Sequence, residues 1–337
     1  MTALPWAARV DLWDRGLAAV RAYLRAEGMR EVSTPVRVAA PAIEPFIEPI
    51  AAPPGYLATS PELAMKRLLC RGSGSIFQIA HVFRRAEIGA RHSEEFHLIE
   101  WYRVEAALAE GRRDVEALVA AVIEVAGGEG PRRWESHGIL DVVDETLGVR
   151  LRGDEEAGVL AELAAARGLP LVAVGLDDHD LEVRRLAAWT AFLSEWSDRH
   201  LDPWLLARAE RGIHLGDFPP ALAALAELVE VGDGPRVAAR FESFVGGVEL
   251  ANGYQELRDA GDQRRRFVAV AGLRRALGLP PLALDQAFLG DLEGRGLPRA
   301  AGVALGLDRL LMLAVGASSL ADISLALGAP GHPADGA

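Results

Sequence analysis

Apolar residues at Val10, Trp13, Leu17, Val20 and Leu24 recur alternately three and four positions apart, the spacing that lays one greasy stripe along an α-helix. Gly28 offers that helix a natural end, and Met29 to Thr34 then reads as a short strand stopped by Pro35. Pro41, Pro45, Pro49, Pro53 and Pro54 allow only extended or looped chain. Ser60 is placed to cap a helix whose first residue is Pro61 and which passes through Met65 and Leu68. The period then changes from about 3.6 to 2. Ile76–Phe83 and Phe96–Val104 carry β-branched and aromatic residues at alternate positions and predict paired strands. Val115, Leu118, Val119, Val122 and Ile123 return to helical spacing, closed by Gly127-Gly128. From about Pro131 to His214 the chain becomes alanine-rich and helical with acidic loops, which reads as a helical insertion. Strand pattern resumes at Arg240–Val245 and Val248–Leu257, joined by the two-residue turn Gly246-Gly247. Last, Gly302–Leu307 reads as a strand and Arg309–Val315 as a helix, with Asp308 available as its cap.

This pattern makes some charged residues conspicuous. Between the first two strands lies a connection of about a dozen residues holding Arg84, Arg85, Arg91 and His92, far longer than the two to five a hairpin needs. It is either a working loop that grips phosphate through guanidinium groups or a solvated charged turn. In the second hairpin, pairing Val245 with Val248 sets Phe244 opposite Glu249 and Glu242 opposite Ala251. Glu242 and Glu249 then share a face, with Cβ atoms roughly 7–8 Å apart. Two such carboxylates suit a magnesium ion brought in with nucleotide phosphates, or else they are exposed surface acids. Arg309 falls in the first turn of a helix that starts at a strand end.

Composition narrows the field. With 337 residues, half of them hydrophobic, the chain can bury a large core and is not a disordered protein. A net charge of -12 disfavours broad nucleic-acid binding. One cysteine, Cys70, excludes an internal disulfide framework and fits a reducing cytoplasm; beside Leu68 and Leu69 it reads as a structural thiol. The N-terminus lacks the pattern of a secretory signal, and no run approaches the roughly 20 apolar residues of a membrane span. His179, among Asp177, Asp178 and Asp180, lacks ligand-set spacing and reads as part of a solvated loop.

Taken in order, the opening helix and strand ending in proline, the arginine-bearing loop followed by Glu95-Phe96, and the closing Gly306-Leu307-Asp308-Arg309-Leu310 resemble the three signature motifs of class II aminoacyl-tRNA synthetases. TSPELAMKRLL at 59–69, HSEEFHLIEWYR at 92–103, GVELANGYQEL at 247–257 and GVALGLDRL at 302–310 are similar to the lysyl-tRNA synthetase catalytic domain. The similarity is greater still to its truncated relatives, the elongation factor P (R)-β-lysine ligases. It spans nearly the whole chain and is weakest from about 131 to 223.

The resemblance implies an α+β fold: an antiparallel sheet flanked by helices, in one catalytic domain over 1–330, with a mainly helical insertion at about 131–214 and a disordered tail at 331–337. The first-motif helix begins near residue 10, which leaves no room for the OB-fold anticodon domain of the synthetases. The implied activity is ATP- and magnesium-dependent activation of (R)-β-lysine or lysine to an adenylate, then transfer to a lysine of elongation factor P. A truncated synthetase charging tRNA, or a non-catalytic paralogue, is the alternative. The implied protein is a cytoplasmic homodimer with no membrane or tRNA partner.

By position, Arg84 matches the arginine that holds the α-phosphate, Phe96 the adenine shelf, and Arg309 the third-motif arginine near the γ-phosphate. Arg85, Glu87, His92, Ser93, Leu250 and Gly306 complete the implied nucleotide site, and Glu242 and Glu249 fall on the metal ligands. Ser60, Pro61, Glu62, Tyr102, Asn252, Glu256 and Ala304 fall on the amino-acid site. Three departures stand out: Ala86 replaces the glutamate of an Arg-x-Glu pattern, Ser93 stands where asparagine is frequent, and Ala304 replaces the synthetases' glycine, as it does in the ligases. Strict alternation puts Asn252 and Glu256 on the face opposite Glu249. A bulge is therefore expected at Asn252-Gly253.

Overall fold

The computed structural model describes residues 4–171, 180–232 and 234–326. The loop around His179 and the segment 331–337 lie outside the described residues. Twelve strands are present among those described: β1 (Arg30–Glu31), β2 (Arg37–Val38), β3 (Ala51–Ala52), β4 (Gly55–Leu57), β5 (Ile76–Phe83), β6 (Glu95–Val104), β7 (Trp134–Gly138), β8 (Gly212–Phe218), β9 (Leu228–Val229), β10 (Val237–Val245), β11 (Val248–Gln255) and β12 (Ala300–Gly306). The helices are α1 (Trp6–Ala26), α2 (Glu62–Cys70), α3 (Leu108–Ala126), α4 (Ile139–Leu147), α5 (Ala157–Ala166), α6 (Leu181–Trp196), α7 (Asp202–Leu206), α8 (Ala260–Ala276), α9 (Gln286–Arg295) and α10 (Leu307–Ala314).

A nine-stranded sheet runs β1-β5-β6-β12-β11-β10-β8-β7, with β9 paired to β10. Its middle is antiparallel, and only the β1–β5 and β7–β8 pairs at the two ends are parallel. The proline-rich stretch, expected to be extended or looped, also contributes the strands of a small sheet ordered β2-β4-β3. The segment expected to be a helical insertion holds α4–α7, and it begins with β7, which extends the main sheet.

Alternation along each strand separates a core face from a ligand face. On β6, Ile99 and Trp101 enter the core built by α1, α3 and α10, while Phe96, Leu98, Glu100 and Tyr102 point the other way into a cavity. On β12, Val303 and Leu305 join the core, and Gly302, Ala304 and Gly306 lie along the cavity. Helix α3 is locked by a carboxylate: Glu110 accepts from the Ala107 amide at 3.0 Å. Asp114 on the same helix accepts from Trp101, Tyr23 and Arg103, so sheet and helices share one buried acid. Cys70 is partly buried against the cluster between α2 and α9.

Two expected details differ. The ladder of the second hairpin starts in the expected register, Val245 opposite Val248 and Phe244 opposite Glu249, but then Ser243 faces Ala251 and Glu242 faces Asn252. The extra residue is Leu250, two positions before the expected bulge. Leu250 and Ala251 thus both enter the core, and Glu249, Asn252, Tyr254 and Glu256 all line the cavity. Asn252-Gly253 makes no break. Gly253 is required for packing, since a Cβ there would lie 2.4 Å from Phe241 Cε1. Asp308 does not cap α10; its Oδ2 accepts from the His97 amide of β6 at 2.6 Å and ties the helix start to the sheet.

Candidate active site

The cavity has a volume of about 330 Å³ and sits on the ligand face where β6, β12 and β11 meet. At one end α2 begins. The helix starts at Glu62 with Pro61 at its N-cap, one residue later than expected; Ser60 Oγ, just before it, accepts from the Glu62 amide at 3.0 Å and donates to Glu100 Oε2 at 2.7 Å, which fixes that carboxyl. Tyr102 donates to Glu100 Oε1 at 2.6 Å. Burial, then the charge of Glu62, push the Glu100 carboxyl well up.

One turn along α2, Lys66 is only 1% exposed and pairs with Glu62 at 2.7 Å and Glu256 at 2.6 Å. Desolvation acts to discharge this ammonium, but the two carboxylates outweigh it and keep Lys66 charged. Glu256 is itself raised, chiefly by burial. Gly302 makes room for this end: a Cβ there would lie 2.0 Å from Glu256 Oε1 and 2.5 Å from Tyr102 Cε1. Lys66 pairs with Glu62 and Glu256 but not with Glu100, so this end holds more carboxyl groups than cations and suits an ammonium ligand, which would favour the ionised form of Glu100.

The other end is cationic. Arg84 packs over the Phe96 ring at 5.1 Å and its Nε donates to the Thr59 carbonyl at 3.3 Å. Arg309 donates to the carbonyls of Arg91 at 3.1 Å and Glu249 at 3.0 Å, joining the long loop to β11. Ala86 has φ of 64°, a turn that brings Glu87 rather than residue 86 to the cavity, 3.6 Å from Arg84 Nη1. The Ala86 amide donates to Glu94 at 2.6 Å, which holds the turn. His92 has its pKa lowered by burial and then by Arg309, so its ring adds no charge at neutral pH.

The cavity therefore gathers Ser60, Glu62, Arg84, Glu87, His92, Ser93, Phe96, Tyr102, Glu249, Leu250, Asn252, Glu256, Ala304, Gly306 and Arg309 from the sequence expectation. Pro61, Arg85 and Glu242 do not line it. Arg85 is exposed, its amide bonded to the Glu48 carbonyl at 2.8 Å. Glu242 stands opposite Asn252 in the ladder, with one oxygen 2.6 Å from Arg240; burial raises its pKa, and the Glu249 charge adds to the rise. Glu44, Lys66, Glu100 and Tyr254 escaped notice in the sequence. Glu100 alternates with Tyr102 on the second predicted strand and was legible in principle, whereas Lys66 reads as an ordinary helix-surface lysine until Glu256, the residue after β11, meets it.

Three buried polar atoms on the cavity wall, Ser93 Oγ, Asn252 Oδ1 and Glu256 Oε1, have no hydrogen-bond partner. Such atoms are costly unless a ligand meets them. Unsatisfied acceptors at an acidic end, and two arginines with an aromatic shelf at the other, suit an amino acid carrying an extra ammonium joined to a nucleotide. A sheet of this topology bearing such a site is the catalytic domain of a class II aminoacyl-tRNA synthetase-type ligase.

Comparison with known proteins agrees. The family model described as tRNA synthetases class II (D, K and N) matches residues 8–325. Among curated proteins, the chain is 35% identical over 317 residues to "Elongation factor P--(R)-beta-lysine ligase" of Pectobacterium carotovorum subsp. carotovorum, covering 91% of each chain. It is 35% identical over 331 residues to the protein of that name from Photorhabdus laumondii subsp. laumondii, covering 95% of each. The corresponding protein of Pasteurella multocida is 33% identical over 317 residues, again with 91% coverage of both. The chain belongs to the class II tRNA synthetase family and, within it, to the group that contains these elongation factor P--(R)-β-lysine ligases. No helix among the described residues is long and apolar enough to cross a membrane.

Proposed function

We propose that the protein activates (R)-β-lysine, or lysine, with ATP and transfers the acyl group to a lysine side chain of elongation factor P. One observation carries this reading: three carboxylates and one internal ammonium at one end of a cavity whose other end holds two arginines. Glu62, Glu100, Tyr102, Asn252 and Glu256 receive the ammonium groups of the amino acid. Arg84 orients its carboxylate against the α-phosphate, Phe96 supports the adenine, and Arg309 meets the polyphosphate from the other side. Fixed donors of this kind lower the barrier by positioning and charge stabilisation, and no protein nucleophile is needed.

The acids next to the phosphate end fit a divalent cation. Glu249 lines the cavity, and Glu242, raised first by burial and further by the Glu249 charge, is a carboxyl whose ionised form a cation would favour. Glu242 and Glu249 would hold magnesium, whose chemistry is to neutralise the phosphate oxygens during displacement. The Ala304 methyl narrows the amino-acid end and contributes to donor choice, by about 1–3 kcal/mol for a group of this size. We place the protein in the cytoplasm as a homodimer joined through α1, whose outer face exposes Trp6 and Val10.

Amino-acid-dependent exchange of pyrophosphate into ATP tests the activation step. Exchange with (R)-β-lysine or α-lysine is expected, and its absence with both sinks the proposal. Acylation of elongation factor P in preference to tRNA then fixes the acceptor; the reverse preference identifies a tRNA-charging enzyme.

A further inference from the structure

A second chamber, of about 550 Å³, adjoins the first. Its walls are largely apolar, with Phe46, Trp189, Leu222, Leu225 and Val270 among them, and exposed Phe46 and Arg265 stand at its rim. The two chambers share Glu44, Ile47, Glu62, Asn252 and Tyr254. The polar groups at this junction are mostly committed. Glu62 is paired with Lys66 at 2.7 Å, and the Asn252 amide donates to the Tyr254 hydroxyl at 3.0 Å. The Glu44 carboxylate makes no hydrogen bond or ion pair among the described residues.

Glu44 is nonetheless held firmly. Arg274, only 1% exposed, donates from Nη1 to the carbonyls of Glu44 at 3.0 Å and Ile47 at 3.2 Å, and from Nη2 to the Glu48 carboxylate. The Glu48 carbonyl in turn accepts from the Arg85 amide at 2.8 Å, which fixes the 44–48 loop against the loop bearing Arg84. An unpaired carboxylate on a clamped loop, between an apolar slot and a reaction centre, matches an amine at the end of a methylene chain.

We infer that Glu44 is the base that takes a proton from the lysine ammonium accepting the acyl group, and that the second chamber receives that lysine's methylene stem. This rests on the proposed function above. The ammonium gives one proton to the Glu44 carboxylate, and the neutral nitrogen attacks the acyl carbon of the adenylate. The C–N bond forms as the acyl C–O bond breaks, and AMP leaves with that electron pair, its phosphate taking the second proton from nitrogen. The groups facing Glu44 are Arg84 and Arg240, which favour its anion, and Glu62 and Glu87, which oppose it. Burial outweighs the arginines and raises its pKa, which makes its carboxylate a stronger base than a free one.

The test separates the two half-reactions in Glu44→Gln. Single-turnover transfer from enzyme-bound adenylate to elongation factor P is expected to slow by ~10²-fold or more, the usual worth of a general base. Pyrophosphate exchange should change much less, so the ratio of the two rates falls. In Glu44→Gln the transfer rate should keep rising with pH toward the free lysine amine's pKa of about 10.4, whereas Glu44→Asp should keep a plateau at lower pH, as the wild type does. If both half-reactions slow in proportion, if the amino-acid KM in exchange rises instead, or if the transfer rate of Glu44→Gln levels off at the same pH as the wild type, the inference fails. Thr190→Trp, which fills the second chamber, should raise the KM for elongation factor P about tenfold; an unchanged KM removes the stem slot. Absence of exchange in the wild type would instead overturn the proposed function itself.

Discussion

Replacing Lys66 by methionine removes the one cation at the acidic end while keeping an unbranched side chain of similar length. The ammonium is 1% exposed and lies 2.7 Å from Glu62 and 2.6 Å from Glu256, whose side chains are 11% and 1% exposed. Breaking a buried pair by removing one partner costs about 3–5 kcal/mol, because the remaining charge is stranded. Two pairs are lost here, yet the cost should stay in that range since a stranded carboxyl can take up a proton. The Glu256 carboxyl, already raised by burial, must rise further when its cation goes. A group whose folded pKa lies above its unfolded value adds stability below the unfolded pKa and loses it as pH rises through the folded one. The Lys66→Met deficit should therefore be small near pH 5 and full at pH 8. Urea unfolding followed by tryptophan fluorescence at both pH values measures it. Adding Glu256→Gln to Lys66→Met should recover much of the loss at pH 8. A single variant as stable as the wild type at pH 8, or one whose deficit ignores pH, would refute this account of Lys66.

Two further outcomes follow from the same geometry. Gly302→Ala drives a methyl into Glu256 and Tyr102, so amino-acid-dependent exchange should fall by roughly 10²-fold, the scale set by misplacing a site by 1 Å, with an unchanged circular dichroism spectrum; an unaltered amino-acid KM would contradict it. His214 is buried between Ser243 Oγ at 2.8 Å and Glu116 at 3.1 Å and stacks on Trp134, and its pKa is lowered to about 4, first by burial and then by Arg112. Because the unfolded chain binds that proton more readily, stability present above pH 6.5 should be lost as pH falls toward 4, by about 3 kcal/mol. His214→Gln should flatten that part of the pH–stability curve measured by urea titration; a slope identical to the wild type would exclude the histidine as its source.

Local periodicity is what the sequence determined by itself. Residues two apart must share a strand face, and residues three or four apart a helix face, wherever the rest of the chain lies. For this reason α1, the β5–β6 pair with its long loop, the Gly246-Gly247 turn and the β12–α10 corner were all legible. So was most of the cavity wall, because motifs preserve order as well as chemistry. Tertiary structure decided the remainder, where a residue's meaning depends on partners distant in sequence. The bulge settled at Leu250 because the core beneath β11 takes Leu250 and Ala251 together, and no local rule states how much apolar volume α3 and α10 leave there. Asp308 is adjacent to a helix start, yet β6 offered it the His97 amide. Trp134–Gly138 carries no alternating pattern and became a strand because the free edge of β8 was available to pair with it. Lys66 and Glu44 show the same principle in electrostatic form. A helix lysine becomes a buried counter-ion, and a loop glutamate a lone carboxylate between two chambers, only when Glu256, just past β11, and Arg274 are brought against them.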